Sequence, residues 1–132
     1  RHVKLPLLRT LNEEGERRVR VDDAGQRAHT IFRLRRDYAD FTLLEAELKT
    51  GRTHQIRVHL AALGHALAGD EKYGDPEQNR ALKKRGLRRM FLHAARLELK
   101  HPLTGVPLIL EAPLAPDLRH FLDLLEHETQ AL

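Results

Sequence analysis

The sequence of 132 residues contains no cysteine and no tryptophan, and only one methionine, two tyrosines and four phenylalanines. The absence of cysteine excludes a disulfide framework, a thiolate metal site and a cysteine nucleophile. No apolar run reaches the roughly 18 residues that a membrane-spanning helix needs, and the N-terminus lacks the apolar stretch of a signal peptide. These absences predict a soluble protein of the cytoplasm that does not bind a membrane.

Size and composition favour one globular domain. Hydrophobic residues make up 41% of the chain and charged residues 32%, which is typical of a folded protein and not of a disordered one. The chain opens on Arg1 instead of a methionine, in a segment of about sixteen residues without clear periodicity. We therefore expect it to be a piece of a longer protein.

The basic residues are concentrated in one place. Lysine and arginine total 23 against 19 acidic residues, a net charge of +4. Residues 80–89 include no acidic residue and six basic ones, which are Arg80, Lys83, Lys84, Arg85, Arg88 and Arg89. Such a run is either a surface that binds phosphate in a salt-dependent way or a solvated helix face, and charge alone does not separate the two.

The hydrophobic pattern predicts an α+β fold, with a mostly antiparallel mixed sheet and flanking helices. Strands are expected over residues 18–21, 30–36, 41–48, 92–100 and 106–111. Helices are expected to begin with Thr53 and Asp75 as N-caps and at Pro116, and Gly64 and Gly86 are expected to end the first two.

Several common sites are missing from the sequence. It has no glycine-rich phosphate loop, no nucleophile elbow and no dinucleotide fingerprint. His54 and His59 are five residues apart, and no acidic residue in the same predicted helix completes a zinc site. The six scattered tyrosines and phenylalanines argue against an aromatic platform for stacked bases.

The most informative segment covers residues 50–59, TGRTHQIRVH, at a predicted junction between a strand and a helix. Backbone N–H groups and the positive end of the helix dipole point outward at such a junction and favour anions. Arginines here are either surface ion-pair partners or ligands for a phosphate or carboxylate.

Together with its neighbours, this segment resembles the RluA-type pseudouridine synthases, especially those that act on large-subunit ribosomal RNA. Residues 48–59 resemble the third sequence motif of that family. The other similar stretches are AHTIF at 28–32, GHALAGDEKYG at 64–74 with Ala66 where proline is common, FLHA at 91–94, and HP at 101–102 with EAP at 111–113. The resemblance covers roughly residues 18–125.

The resemblance implies that uridine in RNA, namely 23S ribosomal RNA, is isomerised to pseudouridine without cofactor or metal, on a base extruded from the RNA. It implies that Arg57 pairs with the catalytic aspartate and that Leu92 packs against the uracil ring. Residues 69–70 and 73–74 are expected to shape a loop beside the site. Asp70 there is either a turn or cap residue or a residue with a direct function. The residues expected to bind RNA are Arg52, Thr53, His54, Arg80, Lys83, Lys84 and Arg88.

The sequence also departs from the family. The Arg-Leu-Asp motif that carries the catalytic aspartate is absent, and so is the motif of the base-contacting tyrosine. Residues 1–132 are therefore expected to be the C-terminal portion of a catalytic domain, about half of its fold, and to be inactive alone. The alternative is a non-catalytic RNA-binding module built on the same half-fold.

Overall fold

The computed structural model describes residues 1–131. The strands are β1 (His2–Val3), β2 (Leu7–Leu11), β3 (Arg17–Val21), β4 (Thr30–Asp37), β5 (Thr42–Leu48), β6 (Arg96–Lys100) and β7 (Pro107–Glu111). The helices are α1 (Gln55–Ala62), α2 (Pro76–Lys84) and α3 (Pro116–Gln130). Helices and strands in this order confirm the α+β class.

The strands form three sheets, and every strand pair among the described residues is antiparallel. The sheets have the orders β1-β4-β5, β2-β3 and β6-β7. Antiparallel pairing was expected, but its division into three small sheets was not. The β6-β7 ribbon has one apolar face, on which Leu97 opposes Leu110 and Leu99 opposes Leu108. Leu97 and Leu110 are 56% and 55% exposed there.

Two strand predictions need correction. Residues 1–16 were expected to have no structure of their own, yet β1 pairs with β4, and β2 pairs with β3. β1 has only two residues, and the pairing and burial that define β2 exist only in the folded chain. The strand expected over 92–100 begins only at Arg96.

The start of α1 also differs from the prediction. Its N-cap is His54, and not Thr53, and His54 has a left-handed backbone with φ 53° and no side-chain cap. Gln55, the first residue of the helix, instead fixes the loop before it, since its Oε1 accepts from the Arg52 N–H at 3.0 Å and from the Thr50 hydroxyl at 2.7 Å. The predicted boundaries at Asp75, Gly86 and Pro116 are confirmed, and the Asp75 side chain caps the Glu77 N–H.

Three apolar clusters hold the elements together. The largest joins α2 to α3 through six buried residues, Leu82, Leu87, Leu118, Phe121, Leu122 and Leu125. A second joins β2 and β3 to α1 through Leu7, Val19 and Val58. The third packs Leu60 of α1 against Phe32 of β4 and Val3 of β1. Helix α1 is therefore fixed from two sides, and this determines where its polar side chains point.

A buried hydrogen-bond chain connects α1 to β4 and to the segment before β2. The Gln55 Nε2 donates to the Thr30 hydroxyl at 2.9 Å, and that oxygen lies 2.9 Å from Nδ1 of His59. The Nε2 of His59 lies 2.8 Å from the carbonyl of Leu5, which can only accept. Burial lowers the pKa of His59, so the ring is neutral and carries its proton on Nε2.

No helix among residues 1–131 is both long and apolar enough to cross a bilayer.

The neutral state of His59 makes the fold sensitive to acid. Because the pKa of His59 is lower in the folded chain than in the unfolded one, its contribution is complete above about pH 6.5 and is lost as the pH falls. We expect the free energy of unfolding, measured with urea, to fall more between about pH 7.5 and about pH 5 in the wild-type chain than in His59→Gln. Equal decreases in the two proteins would contradict the assignment.

Candidate active site around Arg57

Arg57 lies one turn into α1 and forms a two-point ion pair with Asp70. Its Nε donates to Oδ2 of Asp70 and its Nη2 donates to Oδ1, both at 2.9 Å. The side chain of Asp70 is completely buried, whereas that of Arg57 is 18% exposed. A planar guanidinium bound along one edge by a carboxylate has a fixed direction as well as a fixed position.

The loop that carries Asp70 folds around its carboxylate. Oδ1 also accepts from the N–H groups of Lys72 and Tyr73, at 2.9 and 3.1 Å. The Asn79 side chain of α2 donates to the Asp70 carbonyl at 2.8 Å and accepts from the Gly69 N–H at 3.2 Å. The carboxylate therefore cannot move without breaking several hydrogen bonds. The interpretation of Asp70 as a turn residue was correct but incomplete.

Tyr73 covers the guanidinium from another direction. The centre of its ring lies 5.1 Å from Cζ of Arg57 and 5.2 Å from Cζ of Arg18, within the range of cation–π attraction. Its hydroxyl accepts from the Val19 N–H at 2.9 Å and lies 2.8 Å from Nδ1 of His54. The contact with Tyr73 helps to explain why His54 holds the sole left-handed backbone among the non-glycine residues described.

The charges in this cluster are stabilised by one another. Burial raises the pKa of Asp70, but the Arg57 hydrogen bonds and the two backbone N–H groups outweigh burial and hold that pKa below its ordinary value. The hydrogen bonds to Asp70 raise the pKa of Arg57. Burial lowers the pKa of His54, and the charge of Arg57 lowers it further. The pair is ionised and His54 is neutral at neutral pH.

A cleft of about 480 Å³ opens beside Arg57. Four basic side chains line it, Arg57, Lys72, Arg88 and Arg89, against two acidic ones, Glu16 and Glu71. The Nη1 of Arg57 has no hydrogen-bond partner within residues 1–131. Every buried side-chain nitrogen in that range has a partner, so Nη1 is not buried and is accessible to solvent. Basic residues outnumber acidic ones in this lining, but Arg57, Lys72 and Arg89 are paired with carboxylates. The groups open to an anion are therefore Arg88 and the free edge of Arg57.

The structure brings His54 and Arg88 close to Arg57 and separates the other predicted site residues from it. Arg52 and Thr53 line a second, smaller cleft of about 190 Å³, and the Nε of Arg52 donates to the Arg27 carbonyl at 2.8 Å. Leu92 is half-buried in the irregular segment 91–95 and lines neither cleft. Its predicted contact with uracil stays a prediction.

The basic run divides into two groups. Arg85 pairs with Asp40 and Glu128, and Arg89 pairs with Asp117 at 2.7 Å, so both hold α3 or the turn after β4 in place. Among the residues predicted to bind RNA, Lys83 pairs with Glu71 at 3.1 Å. Arg80, Lys84 and Arg88 are exposed and have no ion pair within residues 1–131. Of these three unpaired residues, Arg88 alone lines the cleft that contains Arg57.

In the part of the chain that the structure describes, no three histidine, aspartate or glutamate side chains are arranged to hold a metal ion.

The sequence analysis gave no role to Asn79 or Gln55, and it expected Tyr73 only to shape a loop beside the site. All three are polar or aromatic side chains that fix a loop by hydrogen bonds to distant backbone. The spacing of Asp70, Tyr73 and Gly74 was visible in the sequence as a family motif, but no pattern revealed that these residues enclose Arg57. Once Asp70 is known to be buried, the need of a buried carboxylate for partners is the signal that points to them.

The loop around Asp70 depends on a glycine at position 74. A Cβ atom there would lie 2.4 Å from the Asp70 carbonyl oxygen, whereas one at Gly51 would meet nothing within 4 Å. We expect Gly74→Ala to lower the free energy of unfolding by about 2 kcal/mol, because backbone must move, and Gly51→Ala to change it by less than about 0.5 kcal/mol. Urea denaturation of the two variants makes the comparison, and equal effects would exclude the packing assigned to this loop.

Comparison with known proteins shows one consistent similarity. The family described as RNA pseudouridylate synthase matches residues 3–62. Ribosomal large subunit pseudouridine synthase C of Yersinia pestis is 44% identical over 120 residues, which are 91% of this chain and 38% of that protein. The enzyme of the same name from Escherichia coli K12 is 44% identical over 127 residues, 95% of this chain and 40% of that protein.

Solved structures agree with this. Human RNA pseudouridylate synthase domain containing 4 superposes with a TM-score of 0.68 and 28% identity, over 95% of this chain and 56% of that one. Human RNA pseudouridylate synthase domain containing 1 gives a TM-score of 0.59 and 26% identity, over 99% and 59%. The chain spans about two-fifths of the length of the curated relatives it matches. Over this part of their length, the chain is similar to RNA pseudouridylate synthases.

Proposed function

We propose that this chain is the Arg57-bearing part of an RNA pseudouridine synthase that acts on large-subunit ribosomal RNA in the cytoplasm. In this isomerisation the bond between N1 of uracil and C1′ of ribose breaks, the base turns, and C5 bonds to C1′. The proton on C5 leaves to water and N1 gains one, so atoms and charges balance without a cofactor. The name shared by the curated relatives supports ribosomal RNA as the substrate.

The free edge of Arg57 is the observation that carries the proposal. Asp70 occupies Nε and one hydrogen of Nη2, which leaves Nη1 and the second hydrogen of Nη2 directed away from that carboxylate. These two donors match the geometry of a second carboxylate. The edge belongs to the lining of a cleft with a positive charge excess, where an RNA phosphate also fits.

The catalytic aspartate in this proposal comes from outside these 132 residues. The Asp70 side chain is fully buried, and its carboxylate is bound by Arg57 and by two backbone N–H groups, so a substrate cannot reach it. Leu92 is proposed to pack against the extruded uracil. The RNA backbone is assigned to seven residues, Arg52, Thr53, His54, Arg80, Lys83, Lys84 and Arg88.

Replacing Arg57 tests the catalytic assignment. In the full-length gene product that carries this chain, we expect Arg57→Ala to lower turnover about 100-fold to 1,000-fold, because the catalytic carboxylate loses its oriented partner. RNA affinity should change little, since only one of several phosphate-facing cations is removed. Tritium release from RNA labelled at C5 of uridine measures turnover, and filter binding measures affinity.

The matched control is Arg33→Ala on β4, which removes an exposed arginine paired with Glu47 and should leave turnover unchanged. Full activity in Arg57→Ala would remove Arg57 from the catalytic machinery. The 132-residue chain alone should release no tritium, and release would place the nucleophile within it. A full-length protein that binds RNA but releases no tritium would favour the alternative, a non-catalytic RNA-binding module.

Charge reversal tests the basic run. We expect Lys83→Glu, Lys84→Glu and Arg88→Glu together to weaken RNA binding on all sequences. The slope of log affinity against log salt should flatten by about 0.7 for each RNA phosphate that the variant no longer neutralises. The control reverses three exposed basic residues on other elements, Arg35, Lys100 and Arg119. Equal effects of the two triple variants would show that only net charge matters.

A further inference from the structure

The Arg57 guanidinium has two edges, and they have different partners. Its inner edge, Nε with one hydrogen of Nη2, is bound to Asp70 at 2.9 Å on both sides. Its outer edge, Nη1 with the other hydrogen of Nη2, has no hydrogen-bond partner within the described residues. Asp70 is buried and held by backbone, whereas the outer edge can be reached from the cleft.

We propose that Asp70 is a positioning residue for the isomerisation, which fixes the inner edge of Arg57 so that the outer edge stays aimed at the catalytic carboxylate. This inference rests on the proposed function. Asp70 touches neither the RNA nor the reacting atoms. It acts through Arg57 alone.

A permanent counter-charge is needed because the catalytic carboxylate loses its charge during the reaction. If its oxygen bonds to C1′ as the N1–C1′ bond breaks, the carboxylate becomes a neutral ester. If it instead takes the proton from C2′ to form a glycal, it becomes a neutral acid. In both routes Arg57, only 18% exposed, would be left without a partner if Asp70 were absent.

The anchor is rigid enough for this role. Two backbone N–H groups, of Lys72 and Tyr73, hold Oδ1 in place, and Asn79 holds the Asp70 carbonyl. The loop packs so closely that a Cβ on Gly69 or Gly74 would lie 2.4 Å from a carbonyl oxygen. A carboxylate fixed in this way holds the guanidinium in one orientation whether or not the outer edge is occupied.

The test is Asp70→Asn in the full-length gene product. The amide oxygen keeps the three donors at the Oδ1 position, but the amide nitrogen faces Nε of Arg57, so this variant lacks one hydrogen bond and the charge. We expect kcat to fall at least tenfold, while KM and RNA affinity stay within about twofold. The matched control is Glu126→Gln, which breaks the two-point pair of Glu126 with Arg36 on a different surface and should leave kcat unchanged.

A double-mutant cycle separates positioning from general stabilisation. If Asp70 acts through Arg57, adding Asp70→Asn to Arg57→Ala should lower kcat no further. A structural role would lower kcat by the same factor in both backgrounds, and that result would overturn the inference. Unchanged kcat in Asp70→Asn, beside an active wild type, would overturn it as well.

The two proposals fail in distinguishable ways. A wild-type protein that releases no tritium overturns the proposed function, whereas an active wild type with an active Asp70→Asn variant overturns only the role of Asp70.

If Asp70→Asn does not fold, the wild type provides the test by NMR. The Nε–H of Arg57 should exchange with solvent at least tenfold more slowly than that of exposed Arg33, with and without bound RNA, and equal rates would overturn the inference.

Discussion

A buried carboxylate beside an open cleft is stable only if a positive charge and hydrogen-bond donors compensate its burial. This requirement determines how the Arg57 region is built. Asp70 meets it with the guanidinium of Arg57 and two backbone N–H groups. Removing one member of such a pair costs about 3–5 kcal/mol, since the other charge stays buried without compensation. The site and the stability of the loop therefore depend on the same ion pair.

The rest of the fold brings the two halves of this pair together. Helix α1 is fixed by apolar clusters on two sides and by the buried chain from Gln55 through Thr30 to His59. Asp70, the partner of Arg57, lies in the loop before α2. Asn79 of α2 holds this loop by two hydrogen bonds. Since α2 packs on α3, the largest cluster also supports the position of Asp70.

Prediction from sequence succeeded where the signal is local. Asp75 before Pro76, Gly86 after α2 and the apolar stripe of α3 follow from capping, backbone freedom and periodicity. The prediction of the α1 cap at Thr53 was wrong because the N-cap lies one residue later, at His54, whose ring contacts Tyr73 from a distant loop. Strand β2 was missed because its pairing with β3 and its buried Leu7 exist only in the folded chain.

The sequence by itself predicted the fold class, the similarity to pseudouridine synthases and a role for Arg57, because these are carried by ordered motifs and by residue types at fixed spacing. Only the tertiary structure decided which carboxylate holds Arg57 and which edge of the guanidinium stays free. Asp70 follows Arg57 by 13 residues, and nothing in that spacing brings them together. Their pairing depends on a loop closed by Asn79 and on close backbone packing at Gly69 and Gly74, which are long-range constraints that no local pattern records.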